Sequence, residues 1–174
     1  MKSVLIAALG DTGNEPEALR QALETFGFFV ATKYIGHPSD LMDTLGGQLP
    51  LDPDFLVLSC HGENGYILMP VLGETVYRED EPRGPFSADE VIRYLRLSGK
   101  VILNLGCSTG LPPLSDAFTA GNTYIAPMDD VEGNSALMFA IRFFYELAQN
   151  GRSIPDACQL ARNIDSETAL FHLR

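Results

Sequence analysis

The chain has 174 residues, 45% of them hydrophobic, which suits one folded domain with a sizeable core and excludes a disordered one. Its net charge of −11 argues against nucleic acid as a main partner, because phosphate contacts need basic surface. No run of eighteen apolar residues occurs, so no membrane span or membrane partner is expected.

The acidic surface suits basic peptides or cationic substrates, and it also suits plain solvation. None of the three cysteines forms a C-x-x-C pair, so neither a disulfide framework nor zinc-site spacing is present. A reduced, cytoplasmic protein is the expectation. Residues 3–9 are too short and too soon interrupted by Gly10 and Asp11 for a signal peptide.

Strand and helix signals alternate along the chain. SVLIAAL (3–9) predicts a buried strand. Asn14 is placed to cap a helix with Pro16 and Glu17 in its first turn and Leu19, Ala22, Leu23 and Phe26 on its apolar face. FFVATKYI (28–35) is a second strand, and Ser39 starts a short helix carrying Leu41, Met42 and Leu45. A third strand covers 55–60. Residues 66–77, flanking Pro70 and Gly73, predict a hairpin outside the main sheet. REDEPRG (78–84) reads as a charged surface loop.

Ser87 and Glu90 form a capping box for a helix carrying Val91, Ile92 and Leu95 and stopped by Gly99. Residues 100–106 are a fourth strand, 113–118 a short helix and 123–128 a fifth strand. A strong amphipathic helix follows over 134–149, and Ser153 caps a last helix through about Asn163, leaving His172 in a C-terminal tail. Strands separated by helices, with right-handed crossovers, predict an α/β fold. It is a single three-layer domain over 1–174, with a mostly parallel sheet and helices on both faces.

Two strings carry the chemistry. FLVLSCHG (55–62) and VILNLGCSTG (101–110) are apolar runs that each end in a reactive side chain beside a glycine. Helix 87–98 is a crossover long enough to make these strands parallel and adjacent. His61 and Cys107 then share the carboxyl edge, where open parallel sheets bind ligands. A thiol needs a nearby base to become a nucleophile, and histidine commonly serves. Cys60 alternates to the opposite face from His61 and, like Cys158 on an apolar helix face, reads as core.

Other chemistries fail on spacing. A phosphatase loop needs arginine six positions after its cysteine, where Pro113 stands. His61-Gly62-Glu63 supplies half of a zinc-deaminase pattern, but no P-C-x-x-C follows. Neither a P-loop lysine nor a G-x-G-x-x-G fingerprint is present. Cys–His nucleophilic catalysis remains, and it needs neither metal nor other cofactor.

A strand ending in His-Gly followed by a strand ending in Gly-Cys resembles the caspase-like (clan CD) cysteine peptidases. GCSTG is most similar to the motif of separases and of the bacterial domains called CHAT. Residues 120–151 (AGNTYIAPMDDVEGNSALMFAIRFFYELAQNG) resemble their turn, strand, Asp-containing turn and Phe-Tyr helix, and DACQLAR (156–162) resembles the helix that follows. The similarity spans roughly residues 54–163.

It implies a peptidase acting on a peptide or protein substrate, with Cys107 as nucleophile, His61 as general base and the N–H groups of Gly62 and Cys107 as oxyanion donors. In that family the pocket for the residue before the scissile bond is built at the ends of the first and last sheet strands. Asp11, Asp129 and Asp130 stand there in this sequence, which implies a preference for basic residues. Two other readings stay open. One is a catalytically silent caspase-like binding or scaffolding domain. The other is a flavodoxin-like small-molecule enzyme using the Asp11-Thr12-Gly13-Asn14 loop.

Overall fold

The computed structural model describes residues 1–49 and 51–174. Five strands run parallel: β1 (Ser3–Leu9), β2 (Phe29–Ile35), β3 (Phe55–Ser59), β6 (Val101–Asn104) and β7 (Thr123–Pro127). They form one sheet with β8 (Phe171–Leu173) in the order β2-β1-β3-β6-β7-β8, with β8 antiparallel to β7. A separate two-stranded sheet pairs β4 (Gly62–Glu63) with β5 (Tyr66–Ile67).

Alternation along the strands builds both cores. Val4, Ile6, Phe55, Val57, Leu103 and Ile125 face one side, against Leu19 and Leu23 of α1 (Glu15–Thr25), Phe139, Phe143 and Phe144 of α5 (Gly133–Ala148), and Ala157 and Ala161 of α6 (Ile154–Arg162). Leu5, Ala7, Leu9, Leu56, Leu58, Ile102 and Tyr124 face the other. They meet Leu41 and Leu45 of α2 (Pro38–Leu45), Val91 of α3 (Ala88–Tyr94), and Leu114 and Phe118 of α4 (Leu114–Phe118). Both faces of the sheet are therefore buried, as a parallel sheet fed by crossover helices requires. The three-layer α/β architecture expected from the sequence is the one found. No helix among the described residues is long and apolar enough to cross a membrane.

Four local expectations need correction. The hairpin turns at Asn64-Gly65, before Pro70. Both turn residues have positive φ, 51° and 79°, the left-handed pair that a two-residue hairpin loop requires. Residues 68–77 hold no strand. The helix begun by the Ser87 capping box ends at Tyr94, and its Ile92 points to solvent. Residues 171–173 are a sheet strand rather than a tail, held by pairing with β7. Finally, the 78–84 loop is anchored. Glu81 is buried and accepts hydrogen bonds from the backbone N–H groups of Ser39 (3.1 Å) and Arg78 (2.7 Å), with the His37 ring 3.2 Å away. Burial alone would raise the pKa of this carboxyl, but those bonds hold it at about 2.

Candidate active site

Strand β3 pairs with β6 in parallel, with Leu58 opposite Asn104, so the segments following each strand emerge side by side. The backbones of the two segments then approach closely. A Cβ placed on Gly62 would lie 2.3 Å from the Cys107 carbonyl oxygen and 2.6 Å from Thr109 Cγ2. One on Gly106 would lie 3.1 Å from the Gly62 nitrogen and 3.2 Å from the His61 carbonyl carbon. Glycine at both positions lets the His61-Gly62 and Gly106-Cys107 segments pack backbone to backbone. His61 and Cys107 consequently line one cleft, together with Gly62, Glu63, Leu68, Asp130, Val131, Glu132 and Glu167.

The imidazole is held from behind. His61 Nε2 lies 2.8 Å from the Asp11 carbonyl oxygen, in the loop after β1. A carbonyl only accepts, so Nε2 carries the hydrogen and the neutral ring keeps its lone pair on Nδ1. The thiol of Cys107 sits against the turn after β7. Its Sγ is 3.3 Å from the Val131 carbonyl oxygen and accepts the Val131 N–H at 3.4 Å. The thiol and the ring thus share the cleft while their hydrogen bonds run to backbone on either side of it.

The hairpin leaves one donor unused. Leu68 N–H donates to the His61 carbonyl at 3.0 Å, which makes His61–Leu68 the hydrogen-bonded pair. Its neighbour Gly62–Ile67 is then the non-hydrogen-bonded pair, and the Gly62 N–H is free of the ladder at the cleft wall.

A buried polar network sets the turn that carries Cys107. Asn104 Oδ1 accepts the Gly106 N–H at 2.9 Å and the Cys60 thiol at 3.2 Å. Asn104 Nδ2 donates to the Tyr124 hydroxyl at 3.1 Å, which donates to the Thr109 carbonyl at 3.0 Å. Thr109 Oγ1 closes the loop by donating to the Gly106 carbonyl at 2.7 Å. Ser108 takes a left-handed conformation with φ of 58°. It donates its N–H to the Asp129 carbonyl at 3.0 Å and its hydroxyl to Asp130 Oδ1 at 2.9 Å. The signal for Asn104 was present in the sequence as a lone amide inside an apolar strand. Its partners lie on two other segments and became visible only in three dimensions.

The three cysteines divide by environment. Cys60 and Cys158 are buried, and burial pushes both thiols up, Cys158 to about 11. Both are therefore kept protonated and unreactive. Cys107 alone reaches the cleft.

Of the three aspartates expected to bind substrate, Asp130 lines the cleft. The carboxylates of Asp11 and Asp129 turn back onto their own loops and accept the N–H groups of Gly13 (3.2 Å) and Asp130 (2.9 Å). Asp11 reaches the site through its carbonyl instead. Glu132 and Glu167 carry no signal in the sequence, and Glu63 stands there only in an incomplete zinc-deaminase pattern, yet all three join Asp130 in the lining. Glu167 is fixed there by accepting the Glu132 N–H at 2.7 Å. The cleft therefore carries four carboxylates and no lysine or arginine. Among the described residues, no group of three or more His, Cys, Asp or Glu side chains is arranged to hold a metal ion.

No protein-family model and no curated protein matches this sequence. Solved structures do match. The Arg-specific cysteine proteinase gingipain R superposes with a TM-score of 0.59 at 13% identity over 95% of this chain and 43% of its own. A secreted cysteine protease from Bacteroides thetaiotaomicron, solved with an irreversible peptide inhibitor, gives 0.60 at 10% identity over 94% and 58%. The Saccharomyces cerevisiae separase–securin complex gives 0.59 at 14% identity over 97% and 11%. The chain thus spans between about a tenth and three-fifths of each of these proteins. Its fold is that of the caspase-like cysteine peptidases.

Proposed function

We propose that this chain is a cysteine peptidase that cleaves peptide bonds after basic residues, with Cys107 as nucleophile and His61 as base. One observation carries the reading: two glycines let the His61 and Cys107 segments pack backbone to backbone, so the ring and the thiol open into one cleft.

The chemistry follows from the groups present. His61 Nδ1 takes the thiol proton, and Cys107 Sγ attacks the scissile carbonyl carbon, forming a C–S bond. The carbonyl π electrons move to oxygen, and the Gly62 and Cys107 N–H groups hold that oxyanion. The intermediate collapses as the C–N bond breaks and the imidazolium returns its proton to the leaving amine. Water, deprotonated by the same ring, then hydrolyses the thioester and regenerates the thiol. The Asp11 carbonyl favours this sequence, because it keeps the Nε2 hydrogen in place and accepts it more strongly once the ring is charged.

Asp130 supports the basic preference. It is exposed at the cleft, and the Ser108 hydroxyl fixes one carboxylate oxygen while the other is left to meet a guanidinium. The neighbouring glutamates and the net charge of −11 add attraction for cations that salt screens. A fluorogenic peptide panel with basic, acidic and apolar residues before the cleaved bond tests this. Arginine and lysine substrates are expected to be preferred, and D130N is expected to reduce that preference by about 10- to 100-fold, as loss of a charge-assisted pair implies. Preference for aspartate or a large apolar residue overturns the acidic-pocket model. Absence of turnover throughout the panel favours a silent binding domain.

A further inference from the structure

We propose that Glu15 is a positioning residue for His61, acting through the loop that supplies the Asp11 carbonyl. The inference rests on the peptidase reading for its kinetic consequence, though its structural core does not depend on it.

Glu15 opens helix α1, and its carboxylate does not cap that helix. It turns toward the sheet and accepts the Ser59 hydroxyl at 2.6 Å. Ser59 is fully buried at the end of β3, two residues before His61. Its oxygen is also 3.1 Å from Thr12 Oγ1. Serine has one hydroxyl hydrogen, and Glu15 takes it when ionised, so Thr12 must be the donor to Ser59. The resulting relay runs Thr12 to Ser59 to Glu15, and it fixes the direction of two hydroxyls that could otherwise rotate.

The relay joins the same two segments as the His61 contact. Asp11 is one residue before Thr12, and His61 is two residues after Ser59. The loop after β1 is therefore pinned to the end of β3 at two places, one half-buried and fixed by Glu15, the other at the cleft and fixed by the imidazole. Without Glu15 the Ser59 hydroxyl is free to rotate, so the Thr12–Ser59 link loses its fixed direction and holds the loop that carries the Asp11 carbonyl less firmly. The contact that selects Nε2–H over Nδ1–H is then held less firmly, and the Nδ1 lone pair that serves as base is no longer fixed. Partial burial pushes the Glu15 pKa up, while the Ser59 bond and attraction to His61 pull it down.

Glutamine keeps the acceptor and removes the charge, whereas alanine removes both. E15A, E15Q and wild type are to be compared by ring 15N NMR of His61, by thermal melting, and by kcat and KM on the best peptide of the panel. Wild type and E15Q are expected to show the Nε2–H tautomer, and E15A a mixture of tautomers. E15A is expected to lower kcat about tenfold or more with KM little changed, because sub-ångström misplacement of a base acts on the chemical step. E15Q is expected to recover most of that loss. An unchanged His61 tautomer in E15A overturns the proposal, even if both variants melt earlier. So does E15Q behaving like E15A. If wild type shows no turnover, the peptidase reading fails while the NMR comparison still decides the role of Glu15.

Discussion

Replacing Cys107 with alanine is expected to remove peptide hydrolysis altogether, by a factor on the order of 10⁴ or more, while leaving the fold unchanged. Without the sulfur no acyl-enzyme can form, and the residual rate is limited to what the oxyanion donors and binding supply to a water attack. Stability has little at stake. Cys107 is only partly buried, and its sulfur makes two long contacts with the Val131 backbone. A change within about 1 kcal/mol is expected in urea denaturation, since large losses need a cavity or a stranded buried group. The same substitution at Cys60 would be different, because its thiol sits in the buried Asn104 network. Activity and unfolding curves measured on Cys107→Ala separate the two roles. Retained turnover rules out the nucleophile assignment, and a loss of several kcal/mol favours a structural one.

Replacing Gly62 with alanine is expected to damage both stability and activity. The added methyl would lie 2.3 Å from the Cys107 carbonyl oxygen, and that neighbour is backbone, which cannot swing aside as a side chain would. The two segments must separate by roughly an ångström to reach ordinary contact. Overpacking of this kind costs about 1–3 kcal/mol. The shift carries His61 and the Gly62 N–H away from the sulfur, so turnover should fall about 100-fold or more in protein that still folds. Gly133 provides the control, because a Cβ there meets nothing within 4 Å. If Gly62→Ala matches wild type in melting temperature and rate, the close approach of the two segments is wrong.

Much of this arrangement was legible in the residues. Both His61 and Cys107 end apolar runs beside glycines, and the crossover between them has the length that makes β3 and β6 neighbours. What was not legible arises from contacts between distant segments. The hairpin turns at Asn64-Gly65 rather than about Pro70 and Gly73, because a pair of left-handed residues is the stronger hairpin signal. The last strand is three residues long, and pairing with β7 rather than its own pattern makes it a strand. Asp11 and Asp129 stand at strand ends as expected, yet their carboxylates satisfy local N–H groups, a competition that aspartate commonly wins in turns. Glu15 reads in sequence as an ordinary first-turn acid, and only the fold, which sets the start of α1 beside the end of β3, brings it to Ser59.

The pH dependence of Cys107 alkylation, compared between wild type and His61→Ala, tests the central claim most directly. Labelled peptides identify Cys107 by mass spectrometry, with the buried Cys60 and Cys158 as internal references. A thiol paired with an imidazole reacts as thiolate near neutral pH, and loss of the ring should shift its profile toward the alkaline range and slow it below pH 8. Wild-type Cys107 is expected to react well ahead of the other two cysteines and to lose that lead in His61→Ala. Superimposable profiles for the two proteins would contradict any functional coupling between His61 and Cys107.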